Sequence, residues 1–146
     1  MILGLGGIAN HPYAGEVAGI GGHGGRLRVA QTMSAVTGAC LVVRRTHYER
    51  VGGLDEGLQV AFNDIDFCLR LRALGLRNAW TPFAELVHHE SATRGRDEDG
   101  ERRQRFLAEI AFMEARWGDA LQRDPAYNPN LSLSGRGFEL ADPPRG

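Results

Sequence analysis

No apolar run in these 146 residues approaches the ~20 needed to cross a bilayer, which excludes a membrane-spanning helix. There are only two cysteines, Cys40 and Cys68, too few for a disulfide framework or a four-thiolate zinc site. An excess of either charge is also missing. The formal net charge of -1 gives no general pull toward nucleic acid, so no nucleic-acid partner is expected. The N-terminus lacks the basic segment and apolar core of a signal peptide, so the expected compartment is the cytoplasm, including the inner face of the membrane. Lysine is absent and all 17 basic residues are arginine, a bias from which no function follows. Hydrophobic residues at 42% and charged residues at 24% are ordinary for a folded chain, which excludes wholesale disorder.

Glycine is abundant at 20 residues, and nine of them fall between Gly4 and Gly25. Residues 1–32 open with a short apolar run and then read as a Gly-rich, partly loop-like segment that orders over a ligand or partner. Gly4, Gly6 and Gly7 do not match the G-x-G-x-x-G spacing of a phosphate-binding turn, and no helical pattern follows them. The run Ile2–Gly6 reads as a strand remnant whose apolar surface is exposed or covered by a second copy. His11 and His23 receive no ligand role.

Residues 33–122 are better patterned. Cys40–Arg44 reads as a short strand, introduced by the small residues Thr37, Gly38 and Ala39. A short helix capped by the Thr46 hydroxyl is expected to stop at Gly52–Gly53. From Asn63 apolar residues recur at helical spacing until Gly75. Arg77–Thr81 and Ala84–Val87 read as extended segments separated by Pro82. Phe106, Ile110, Met113, Trp117 and Leu121 form a stripe at spacings of four and three, which predicts an amphipathic helix over Arg102–Leu121 packed on a short sheet. Residues 123–146, rich in proline, should be an irregular tail. Both cysteines read as small buried apolar groups, and the fold class is α/β.

The densest polar constellation is Asn63-Asp64-Ile65-Asp66, followed downstream by His88-His89-Glu90-Ser91. Helix capping explains an isolated D-x-D at a helix start. Two adjacent histidines after an apolar strand add a second chemistry, because imidazole binds divalent metals and carboxylates suit Mn²⁺ or Mg²⁺. Asp64, Asp66, His88 and His89 could therefore ligate a metal that activates water for phosphoester hydrolysis. A non-catalytic module that works through a partner is a third reading.

Four segments in order carry a resemblance: Ala39–Arg45, Val51–Glu56, Asn63–Arg70 and Val87–Ser91. Together they resemble the C-terminal, acceptor-side half of family 2 glycosyltransferases, inverting enzymes of the GT-A fold. The resemblance implies Asp64 as catalytic base, with Asn63 where an acidic partner is commoner, and His88 as a ligand of Mn²⁺ or Mg²⁺. It implies supporting roles for Asp66 and His89, and makes Asp64 and His88 converge on one cleft. Thr37, Gly38 and Ala39 would leave room for sugar, and Asp55 would contact acceptor, although a tight turn alone explains these residues. Arg94 would meet a diphosphate or an acidic acceptor, with a solvated surface arginine as the plain alternative. The implied partners are a nucleotide-sugar donor and a glycan or other hydroxyl acceptor. Upstream of Asp55 there is no aspartate, and Glu16 and Glu49 are the only acidic residues, so the family's metal-binding D-x-D has no counterpart. The nucleotide-binding half, about a hundred residues by ordinary domain anatomy, is likewise unmatched. The expectation is a partial GT-A-type fold, weak or inactive alone, completed by a missing N-terminal half or joined in a homo-oligomer.

Overall fold

The structure, a computed structural model, describes residues 1–87, 100–135 and 137–145. It is mixed α and β. Strands β1 (Ile2–Leu3) and β2 (Ala9–Asn10) form one antiparallel pair, and β3 (Gln31–Met33) and β4 (Asn78–Trp80) form another. Helices α1 (Arg45–Arg50), α2 (Asn63–Ala73) and α3 (Gly100–Gln122), with short 3-10 segments at His23–Arg28 and Gly38–Cys40, complete the regular structure among the described residues. No helix among the described residues is long and apolar enough to cross a membrane.

The chemistry of its two ends defines α2. Phe62 precedes it with a positive φ of 63°, and the Asp66 N–H closes the first turn onto the Phe62 carbonyl at 2.9 Å. Asp64 and Asp66 occupy the first turn and Arg70 and Arg72 the last, each sign matched to the helix dipole. At the far end Leu76 N–H bonds to Leu71 and Gly75 N–H to Arg72, with Gly75 at φ +78°, an arrangement that favours glycine. Six residues of α2, from Ile65 to Leu69 and Leu71, are buried.

The core joins α2 to both strand pairs and to α3 through Leu3, Met33, Ile65, Leu69, Met113 and Leu121. Of the expected stripe on α3, Met113 and Leu121 are buried while Ile110 and Trp117 pack partly buried against the core. Buried polar groups tie these layers. Asn78 Nδ2 donates to the Ser34 and Cys68 carbonyls at 2.9 and 3.1 Å. Asp124, just beyond α3, accepts from the Leu3 and Ala126 N–H groups at 2.9 and 2.8 Å and from the Ser34 hydroxyl.

Several expected elements are absent. Cys40–Arg44 contains no strand: Leu41 is extended at φ -128°, but the segment has no ladder partner and Cys40 is exposed. Ala84–Val87 is also outside regular structure. Helix α1 begins at Arg45 with no side-chain cap, so the Thr46 hydroxyl does not start it. Ile2–Gly6 does not expose a bare sheet surface; Ile2, Leu3 and Leu5 are at most 2% exposed, beneath α3 and the segment after it. Residues 123–135 and 137–145 are irregular apart from a Leu131–Leu140 bridge. They are nevertheless anchored, with Tyr127 buried and Arg145 donating to the Leu131 and Gln122 carbonyls.

Candidate functional site

A groove of about 500 Å³ opens where the 37–43 segment passes the start of α2. Thr37, Gly38, Ala39, Asn63 and Asp64 supply its polar side, and Leu41, Val43, Tyr48, Leu54, Val60 and Phe67 its apolar side. Among the described residues, Asp64 is the only carboxylate in this lining. Its position is held from two directions, by Gly38 N–H on Oδ2 at 2.7 Å and by Ile65 N–H on Oδ1 at 2.9 Å. The Thr37 hydroxyl accepts the Ala39 N–H at 3.2 Å and shapes the turn that presents Gly38. A Cβ on Gly38 would lie 3.2 Å from the Asp64 Cβ, so glycine permits the close approach. Each Asp64 oxygen accepts one N–H and keeps further acceptor capacity toward the groove.

Asp66 takes the opposite course. It is fully buried and binds Arg70 Nε at 2.7 Å, Trp117 Nε1 at 2.9 Å and Arg116 Nη1 at 3.3 Å. Arg70 also donates to the Val51 carbonyl, and Arg116 reaches Asp55 at 2.6 Å. This network joins α2, α3 and the turn after α1. Asp55 belongs to the network and is not among the groove-lining residues. The Gly57 N–H and the Arg116 guanidinium hold its carboxyl below the ordinary carboxylate range. Cys68 is buried against Val36, and desolvation pushes its thiol up.

His88, His89 and Arg94 lie outside the described residues, so the expected convergence of Asp64 and His88 does too. Among the described residues no three His, Cys, Asp or Glu side chains are placed to hold a metal ion. With Asp66 committed to arginines and Trp117, those residues do not by themselves fit Mn²⁺ or Mg²⁺. A second hollow of about 380 Å³, lined by Thr32, Arg72, Gly75, Leu76, Arg77, Pro125 and Ala126, contains none of the expected site residues.

Sequence reasoning missed Glu109. This α3 carboxylate is 3% exposed and accepts the Val60 and Ala61 N–H groups at 3.0 and 2.8 Å. Its signal was an acid on the apolar stripe, three residues after Phe106 and four before Met113. The apolar groove wall was missed as well, because its residues come from four separate segments.

No family model matches the sequence, and no solved structure does. The chain is 50% identical over 147 residues to the Sinorhizobium fredii protein named "Uncharacterized protein y4gI", covering 98% of this chain and 16% of that protein. It is 36% identical over 138 residues to the O-antigen biosynthesis protein RfbC of Myxococcus xanthus, covering 92% of this chain and 10% of that one. A 62-residue stretch, 42% of the chain, is 39% identical to an N-acetylglucosaminyl-diphospho-decaprenol L-rhamnosyltransferase of Mycobacterium tuberculosis and covers 20% of it. Part of the chain is thus similar to a rhamnosyltransferase, and the chain spans a fifth or less of the length of these relatives.

Proposed function

We propose that residues 33–122 form the acceptor side of an inverting, family 2-type glycosyltransferase with a GT-A fold, acting in polysaccharide assembly. The donor is a nucleotide sugar and the acceptor a glycan or other hydroxyl compound. Asp64 takes the proton from the acceptor hydroxyl as that oxygen attacks the anomeric carbon, and the nucleotide diphosphate leaves from the opposite face. Asn63 and the small residues Thr37, Gly38 and Ala39 shape the polar wall beside the base. The apolar wall receives the less polar face of the acceptor. The observation that carries this reading is the Asp64 carboxylate, the one carboxylate of the groove among the described residues, held by two backbone N–H groups in a chain similar in part to a rhamnosyltransferase.

His88 is assigned to a Mn²⁺ or Mg²⁺ ion whose remaining ligands come from a donor-binding half, and His89 is given a supporting role. Positioning of the donor and neutralisation of its diphosphate supply much of the rate in such transfers, so the chain alone should be weak or inactive. The test is release of nucleotide diphosphate from a panel of nucleotide sugars, with Mn²⁺ and candidate acceptors. It is run on the chain alone and on the chain joined to a donor-binding half. Turnover by the joined protein that is lost in Asp64→Asn is the expected result. Turnover that survives Asp64→Asn would overturn the assignment of the base, and robust Asp64-dependent transfer by the chain alone would overturn its incompleteness.

A further inference from the structure

A carboxylate buried to 3% exposure on an otherwise apolar helix face must be engaged to be tolerated. Glu109 is engaged in an unusual way. Both its oxygens are taken by consecutive backbone N–H groups, Val60 and Ala61, in a loop without regular structure 49 and 48 residues earlier. One turn before it on α3, the Phe106 ring packs against Phe62 with centroids 5.5 Å apart. Helix α3 therefore grips three successive residues, two through their backbones and one through its side chain. The third, Phe62, carries the positive φ that turns the chain into α2, and its carbonyl accepts the first helical N–H, from Asp66. Asp64 lies two residues further on, where Gly38 N–H meets its carboxylate.

We infer that Glu109 is a positioning residue for Asp64: it clamps the loop entering α2 and thereby fixes where the carboxylate stands in the groove. The inference rests on the reading of Asp64 as the base. It needs no metal, donor or second chain. A neutral amide at position 109 retains one oxygen acceptor for two N–H donors, so one of them is orphaned. The loop then gains freedom at the step that sets the start of α2, and the Gly38–Asp64 bond weakens with it.

Amide hydrogen exchange by ¹⁵N NMR on the whole chain tests this through separate reporters. Val60 and Ala61 report the clamp, Gly38 the place of Asp64, and Leu3, bonded to Asp124, the rest of the core. In Glu109→Gln, exchange at Val60 or Ala61 should rise about tenfold and at Gly38 severalfold, with Leu3 within about twofold of the parent. The ¹³C shift of the Asp64 carboxyl should move in step with Gly38. Asp64→Asn should speed Gly38 while leaving Val60, Ala61 and Leu3 unchanged, which gives the direction of the coupling. An unchanged Gly38 beside a faster Val60 and Ala61 would overturn the inference, leaving Glu109 a local tether. Leu3 accelerating equally would overturn it too, because the role would be general stability. Hydrogen-bond scalar couplings from the Glu109 carboxyl carbon to the two amide nitrogens test the clamp in the unmutated chain, and their absence refutes it whether or not a variant folds. Turnover that survives Asp64→Asn removes the catalytic reading beneath the inference, whereas an unresponsive Gly38 removes only the coupling.

Discussion

Replacing Asp66 by alanine would remove the hub that joins α2 to α3, and the structure sets the size of the loss. Arg70 is 13% exposed, and without Asp66 it retains the Val51 carbonyl as its anchor while its buried Nη2 has no partner among the described residues. Breaking a buried pair from one side costs about 3–5 kcal/mol, because the other charge is stranded. Arg116, at 37% exposed, keeps Asp55 and turns toward water, so its share is small. The Trp117 N–H loses its acceptor as well, at about 1 kcal/mol that is not additive with the rest. The expected loss is about 3–4 kcal/mol, or a melting temperature lower by roughly 10 °C for a chain of this length. Asp66→Asn keeps an oxygen for Trp117 and strands less charge, so about half of that loss is expected. Urea unfolding followed by tryptophan fluorescence measures both, with a constant m-value as the two-state check. Trp117→Phe should cost less in the Asp66→Ala background than alone, by about 1 kcal/mol. An alanine variant within about 1 kcal/mol of the parent, or additive Asp66 and Trp117 changes, would refute the hub.

Asp55 sits below its ordinary value of 3.8 in the folded chain, so its stabilisation is complete above that value and is lost as pH falls through the folded one. The stability gap between the parent and Asp55→Asn should therefore narrow between pH 7 and pH 3, and a constant gap in unfolding experiments would contradict this. Native chain should take up one equivalent of a maleimide at exposed Cys40 and a second, at Cys68, only after unfolding; mass spectrometry with peptide mapping checks it. Gly4→Ala would place a Cβ 2.2 Å from the Leu121 carbonyl oxygen at a φ of +74°, so a loss of about 2–3 kcal/mol is expected in urea unfolding.

The two long helices were readable because each buries a stripe whose spacing is a local property. The end of α2 at Gly75 was readable for the same reason, since a positive φ there selects glycine. Strands were harder. Leu41-Val42-Val43 has strand composition, yet a strand exists only with a partner, and Val42 ends 93% exposed. Asp64 was singled out through the order of four segments, not through spacing alone. Its contact with Gly38 joins positions 26 apart, which no periodicity encodes. Glu109 went unread because charge on an apolar stripe looks like an interruption until the two N–H groups opposite it are seen.

Asp124 has a consequence for how the chain is made. Its hydrogen bonds to Leu3 and Ser34 join positions 121 and 90 residues apart. A ribosome delivers the β1 strand first and its buried acceptor more than a hundred residues later, so Leu3 and Ser34 must wait in water or with a chaperone until then. At about 5–20 residues per second that interval lasts several seconds, far longer than the formation of α2 or of a hairpin. Nascent chains halted before residue 124 should thus lack a closed core, and completion of this fold waits for synthesis past that residue.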